Sequence, residues 1–175
     1  MLISLLISSN ASAQVSTQQL SLQELAERLR TPEEIAHYMW RHFSFETDHS
    51  IFGRNEYWQS PAELLSQGKG DCEDFAIFAR EMLKRNGVNA FLVNIYGDRS
   101  AHTVVVFKEG GRYNAIDGTS VIRSRADSLK ELITEISPFW KEGAIVISSP
   151  THKYGKTLKQ FQKKIRAKFL IDRSV

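Results

Sequence analysis

Apolar and polar residues in the first third of the chain follow the spacing of short amphipathic helices. Two Ser/Thr-x-x-Glu capping boxes begin at Ser21 and Thr31, the second followed by a proline that suits the first helical position. They predict helices over residues 22–30 and 32–43. Residues 46–57 are rich in Asp, Ser, Gly and Asn, which predicts a loop.

A second helical region follows this loop. A capping box at Ser60 predicts a short helix that ends near Gly68. Apolar residues then recur at helical spacing over residues 75–83, which predicts a helix capped by Asp71 and running to about Arg85.

The second half of the chain changes to strand-like apolar runs. Gly110-Gly111 lies between two of these runs and is typical of a hairpin turn. A further helix is predicted over residues 127–136, with Asp127 as its cap. The predicted strands are residues 91–96, 103–107, 113–117 and 144–147.

Composition and charge divide the chain into a body and a basic tail. Hydrophobic residues form 42% of the 175 positions and charged residues 25%, as expected of a globular domain with a core. The net charge of +3 is uneven, because residues 151–175 hold eight Lys and Arg against one acid. We predict one domain over residues 21–150 and a basic amphipathic helix over residues 151–175 that packs on it. The tail is a candidate contact for an acidic surface, and no nucleic-acid partner is expected.

The N-terminal residues carry a weak export signal. A short apolar run ends in Ala11-Ser12-Ala13, the small-x-small shape of a signal-peptidase site, although the usual positive region is missing. Residues 1–13 are therefore predicted to be a truncated signal segment, which makes the protein periplasmic or secreted. The alternative is a frayed N-terminus on a cytoplasmic protein. No other apolar stretch approaches the ~20 residues that a membrane span needs.

Cys72, the only cysteine, is predicted to lie in the first turn of a helix. A helix N-terminus favours negative charge and lowers a thiol pKa, and the backbone N–H of Cys72 is placed to stabilise an oxyanion. Asp71 and Glu73 flank the sulfur and oppose the thiolate, so a cationic partner would be needed. Judged on these residues alone, a structural cysteine is as good a hypothesis as a reactive one.

His102 is the candidate partner, and the predicted hairpin relates it to Asp117. If Gly110-Gly111 is a two-residue turn, Glu109 pairs with Arg112, and His102 and Asp117 share one face in diagonal positions. Cys72 would then attack a carbonyl, His102 would transfer the proton, and Asp117 would orient the ring. A surface histidine and a turn aspartate remain the plainer alternatives.

The stretch Gly70-Asp71-Cys72-Glu73-Asp74-Phe75-Ala76 resembles the nucleophile motif of the transglutaminase-like superfamily. The preceding residues 58–65, the helix that ends near Gly87, the strand after His102 and the strand that ends at Asp117 are similar to the same pattern. The form of the motif looks most like that of the bacterial transglutaminase-like cysteine proteinases, which include LapG-type periplasmic proteases that cleave surface adhesins.

This resemblance implies an α+β fold with a papain/transglutaminase-like core, in which the nucleophile helix packs on an antiparallel β-sheet. It also implies a calcium site through Asp71 and Glu73, with Asp74 as a further ligand, since carboxylates suit Ca²⁺. The alternative is that these acids only cap the helix and complement its dipole. No cofactor is needed for the chemistry itself.

Two residues before the motif are further candidates. Trp58 would line the acyl tunnel or shield the thiolate, and Gln59 would donate to an oxyanion; a core position is the alternative for Trp58. The function predicted is a cysteine peptidase or amidohydrolase acting on a protein or peptide. Acyl transfer to an amine, which makes a crosslink, and a catalytically silent binding module remain as alternatives.

Overall fold

The computed structural model describes residues 20–98, 100–146 and 170–172, the last three by their backbone alone. The predicted signal segment, residues 1–13, lies outside these residues. The helices are α1 (Leu22–Arg28), α2 (Pro32–His42), α3 (Asp48–Phe52), α4 (Pro61–Gln67), α5 (Cys72–Arg85) and α6 (Leu129–Ile136). The strands are β1 (Ser44–Phe45), β2 (Lys69–Gly70), β3 (Ala90–Tyr96), β4 (Ala101–Glu109), β5 (Arg112–Asp117), β6 (Ser120–Ile122), β7 (Glu142–Val146) and β8 (Leu170–Asp172).

Side-chain caps begin most of the helices. The capping boxes predicted at Ser21, Thr31 and Ser60 are confirmed. The cap predicted at Asp127 is wrong by one residue, because the Ser128 hydroxyl accepts the Glu131 N–H at 3.2 Å and α6 starts after it. The loop predicted over residues 46–57 contains α3, whose first turn is capped by the Thr47 hydroxyl.

The six-stranded sheet is antiparallel, in the order β6-β5-β4-β3-β7-β8. Gly110 and Gly111 have φ of +58° and +82°, the left-handed values of a two-residue hairpin turn. Glu109 pairs with Arg112 and Val105 with Ile116, so the predicted register is confirmed. A separate pair joins β1 and β2 in parallel.

Helix α5 lies on the sheet and forms the centre of the main core. Ten of its fourteen residues are buried, and its apolar side chains join those of β3, β4 and β5 together with α1, α2 and α4. A second core forms from other sheet side chains with α6 and Trp140. The predicted α+β architecture, with the nucleophile helix on an antiparallel sheet, is confirmed.

The C-terminal helix predicted over residues 151–175 lies outside the described residues except at β8. There the backbone is extended and pairs with β7, which gives the outer edge of β7 hydrogen-bond partners. At these three residues the helix prediction is therefore wrong. Across the ranges described, no helix combines the length and apolar character required to cross a bilayer.

Candidate active site

Cys72 is the first residue of α5, and its sulfur enters a cleft between the helix and the sheet. The cleft has a volume of about 470 Å³. Its other lining residues come from α2, β1, the start of β4 and the turn after β5. The lining residues are Trp40, Phe43, Phe45, Cys72, Phe75, His102, Gly118 and Thr119.

His102 and Asp117 meet on adjacent strands at the edge of this cleft. The distance between His102 Nε2 and Asp117 Oδ1 is 2.6 Å, so the ring donates to the carboxylate through this nitrogen. The hydrogen bond raises the pKa of His102, against the opposing effect of burial. The hairpin register therefore brings together the pair that the sequence predicted, and both His102 and Cys72 line one cleft.

The surroundings of the sulfur oppose ionisation. The Cys72 thiol donates to Glu73 Oε2 at 3.2 Å. Burial raises the thiol pKa, and the charges of Glu73 and Asp71 raise it further; the backbone N–H of Thr103 acts in the opposite direction. The pKa-lowering effect predicted for the helix N-terminus is thus outweighed, for the reason that the flanking acids already suggested.

Five acidic side chains gather beside Cys72. Asp48, Asp71 and Asp74 each offer an oxygen within 4.8 Å of the others, and so do Asp48, Glu56 and Glu73. Asp48 begins α3 and Glu56 follows it in the chain, both within the segment predicted to be a loop. Neither was a predicted site residue, since only the tertiary fold brings that segment to the N-terminus of α5.

Burial shapes the electrostatics of this acid cluster. Burial is the main cause that raises the pKa of Asp48 and of Asp74 to about 7 and that of Glu73 to about 10. Asp48 Oδ1 and Asp71 Oδ1 are buried without a hydrogen-bond partner among the described residues. Buried carboxylates with orphaned oxygens fit a hard divalent cation such as Ca²⁺, which takes oxygen ligands.

Asp74 has a structural task within this cluster. It is fully buried, and its carboxylate accepts the Gln59 backbone N–H at 2.7 Å and the Gln59 side-chain amide at 2.6 Å. It also accepts the backbone N–H of Asp71 at 3.3 Å. Of the three predicted calcium ligands, Asp74 is therefore the one whose oxygens are most occupied by protein donors.

Trp58 and Gln59 are held by hydrogen bonds to acids of the cluster. Trp58 is buried in the main core, where its indole N–H donates to Glu56 at 2.7 Å. Both protons of the Gln59 amide are engaged, one with Asp74 and one with the Lys69 carbonyl at 2.9 Å. Neither residue lines the cleft, so neither is placed to bind an oxyanion there.

Solved structures resemble this fold over most of its length. LapG of Legionella pneumophila in an EGTA-treated form is 22% identical and matches 82% of this chain and 81% of its own, with a TM-score of 0.51. Its calcium-bound form is 21% identical and matches 80% of this chain and 84% of its own, with a TM-score of 0.50. At this identity, the likeness establishes the fold alone.

Sequence comparison connects the motif to a family. A UPF0252 protein of Archaeoglobus fulgidus is 30% identical over 69 residues, 38% of this chain and 22% of that relative, so the chain spans about a fifth of the relative's length. Residues 8–112, which contain Cys72 and His102, match the family described as bacterial transglutaminase-like cysteine proteinases. That match covers more than half of the chain, and the chain therefore belongs to the bacterial transglutaminase-like cysteine proteinase family.

Proposed function

We propose that the protein is a cysteine peptidase that cleaves an amide bond of a protein or peptide through a thioester. The observation that carries the proposal is the His102–Asp117 hydrogen bond of 2.6 Å in the cleft that also holds the only cysteine. An imidazole oriented by a carboxylate, in one cleft with a thiol at a helix N-terminus, provides the groups used for nucleophilic catalysis.

The proposed reaction has two steps. Sγ of Cys72 attacks the amide carbon, its proton passes to His102, and the backbone N–H of Cys72 stabilises the oxyanion. The C–N bond then breaks as His102 returns the proton to the leaving amine, which leaves a thioester. Water, deprotonated by His102, attacks the thioester and releases the acid and the thiol.

Asp117 orients the ring in both steps. Because its carboxylate accepts from Nε2, the other ring nitrogen, Nδ1, is the one left for proton exchange with the sulfur. The raised His102 pKa also favours the imidazolium that forms during attack.

The acid cluster is the proposed calcium site. Asp48, Glu56, Asp71 and Glu73 would hold the ion, while Asp74 keeps Gln59 and the N-terminus of α5 in place. Bound Ca²⁺ would supply positive charge beside the nucleophile, where burial and acids now hold the thiol pKa high. The existence of a calcium-bound LapG supports this proposal.

Replacing the nucleophile and the base tests the peptidase. Unfolded casein is incubated with the wild type, Cys72→Ala and His102→Ala in calcium, and new N-termini are quantified. Both variants are expected to lose at least about a hundredfold of the cleavage rate, because base catalysis alone contributes 10²–10⁴-fold. His49→Ala, which removes an exposed histidine on α3, is the control and should cleave normally.

Equal cleavage by the wild type and Cys72→Ala would contradict the proposal. The same assay with an added primary amine separates hydrolysis from acyl transfer. Free carboxyl products are expected to dominate, and incorporation of the amine into the substrate would indicate a transglutaminase instead.

We further propose export to the periplasm or outside the cell, with the basic tail in contact with an acidic surface. Ala11-Ser12-Ala13 and the eight basic residues of the tail support these two proposals. Sequencing the mature N-terminus tests the first, with Gln14 the expected first residue. An N-terminus at Met1 in the mature protein would contradict it.

A further inference from the structure

The cleft has an aromatic wall that the catalytic proposal leaves unused. Trp40 and Phe45 are 66% and 64% exposed, although large aromatic side chains are usually buried in a monomer. Both line the same cleft as the nucleophile. We call the four aromatic lining residues, Trp40, Phe43, Phe45 and Phe75, the apolar shelf.

Core residues hold the Phe45 end of the apolar shelf, and Trp40 stacks on His37 at a ring-centroid distance of 5.7 Å. The Phe45 ring meets Phe75 edge-on at a centroid distance of 6.5 Å, and Phe43 packs against Phe75 at 5.9 Å. Phe43 and Phe75 themselves belong to the main core. Phe75 is also only one turn along α5 from Cys72, so the floor of the shelf and the nucleophile are fixed to one rigid helix.

The chemistry of the cleft is apolar on this side. Outside the apolar shelf, the cleft is lined by Cys72, His102, Gly118 and Thr119. Gly118 and Thr119 carry no charge. A charged substrate side chain would lose water against these four rings without gaining a partner among them, whereas an apolar one would remove both its own surface and the two exposed rings from water.

We propose that the apolar shelf is a substrate subsite, which takes a bulky uncharged side chain next to the scissile amide of the substrate polypeptide. This inference rests on the proposed peptidase function. The occupant is the substrate polypeptide because the apolar shelf and Cys72 line one cleft. Any polypeptide whose amide reaches Cys72 therefore passes the shelf residues. Trp40 and Phe45 are then specificity-determining residues.

A positional-scanning peptide library tests the subsite. Cleavage by the wild type is expected to favour Phe, Leu or Met over Ala and Asp at one position flanking the cut, by about tenfold or more, as apolar pockets discriminate on that scale. Trp40→Ala and Phe45→Ala should lose that preference. Phe139→Ala removes a ring that is 85% exposed and does not line the cleft, and should keep it.

Binding to the inactive Cys72→Ala variant makes the test independent of catalysis. Apolar library peptides should bind this variant, and the added Trp40→Ala change should weaken their binding about tenfold. If no peptide is cleaved but this binding pattern holds, the peptidase function fails, and the apolar shelf is a binding site for apolar peptide side chains rather than a substrate subsite. A wild type that lacks the preference, or variants that keep it, would overturn the subsite. The subsite would also be overturned if Trp40→Ala and Phe45→Ala prevented the protein from forming a dimer and had no effect on peptide binding or cleavage.

Discussion

Asp117 determines how the His102 ring is presented to the cleft. Its carboxylate takes the Nε2 proton at 2.6 Å, which fixes the tautomer as well as the ring angle. The same hydrogen bond raises the His102 pKa, so the imidazolium persists to higher pH than that of a histidine in water.

Substituting Asp117 by Asn removes the charge and keeps the shape. We expect the His102 pKa of Asp117→Asn to be lower than that of the wild type, because burial would then act without the opposing carboxylate. The pKa is measured by NMR titration of the imidazole C–H signals. Asp98→Asn, which alters an exposed carboxylate that pairs with Lys141, should leave it unchanged. An unaltered His102 pKa in Asp117→Asn would show that the carboxylate does not set it.

At the scale of elements, local signals were sufficient for the hairpin and insufficient for the acid cluster. A two-residue Gly-Gly turn leaves one register, so the His102–Asp117 contact followed from counting residues. Asp48 and Glu56 lie in a stretch whose turn-forming residues predicted only a loop. Their approach to α5 depends on the packing of α3 and β2, which no local pattern encodes. The sequence likewise left open whether Trp58 lines the cleft or lies in the core, where the fold places it.

The close approach of β2 to α5 gives an element-scale prediction. A Cβ on Gly70 would lie 2.6 Å from Asp74 Oδ2 and 2.9 Å from Leu64 Cδ1, inside van der Waals contact. Gly70→Ala is therefore expected to lower the free energy of unfolding by about 1–3 kcal/mol, the usual cost of overpacking. Urea denaturation measures this change.

Gly53→Ala is a comparison for that variant. An added Cβ there meets nothing within 4 Å, although φ is +64°, so its cost is only that of the left-handed backbone. Calcium should stabilise Gly53→Ala as it does the wild type, and Gly70→Ala less, because Asp74 must move. A Gly70→Ala variant with the stability and the calcium response of the wild type would contradict the packing argument.

For the whole molecule, the acid cluster links three segments that are distant in sequence. α3, the segment after it and α5 each contribute carboxylates. Protonation or a bound cation is needed to hold these groups together, since uncompensated charges in a buried cluster repel one another. We therefore expect the free energy of unfolding to depend on pH and on calcium at this one place.

We expect the calcium-free protein to lose stability as pH rises. The pKa of Asp48 and Asp74 goes from 3.8 to about 7 on folding, so their favourable contribution is complete below pH ~4 and is lost as pH rises through 7. Glu73 extends this loss of stability to higher pH, because its pKa is raised to about 10. In EGTA, the free energy of unfolding should fall between pH 5 and pH 8.

Calcium should oppose that loss by binding the ionised cluster. A concentration a hundredfold above its Kd would add about 2.7 kcal/mol at pH 8. Asp48→Asn should reduce both the pH slope in EGTA and the calcium effect, whereas Glu135→Gln, a change at an exposed acid of α6, should alter neither. A stability in EGTA that rises from pH 5 to pH 8 would exclude the proposed role of the cluster.

The single half-buried thiol also determines how the protein reacts with oxidants. Cys72 has no second cysteine in the chain, so a sulfenic acid at this position cannot be resolved as an internal disulfide. Recovery from oxidation then depends on a small reducing thiol that enters the same cleft as the substrate. A peptide occupying the cleft would therefore shield the sulfur from peroxide and delay its repair in equal measure.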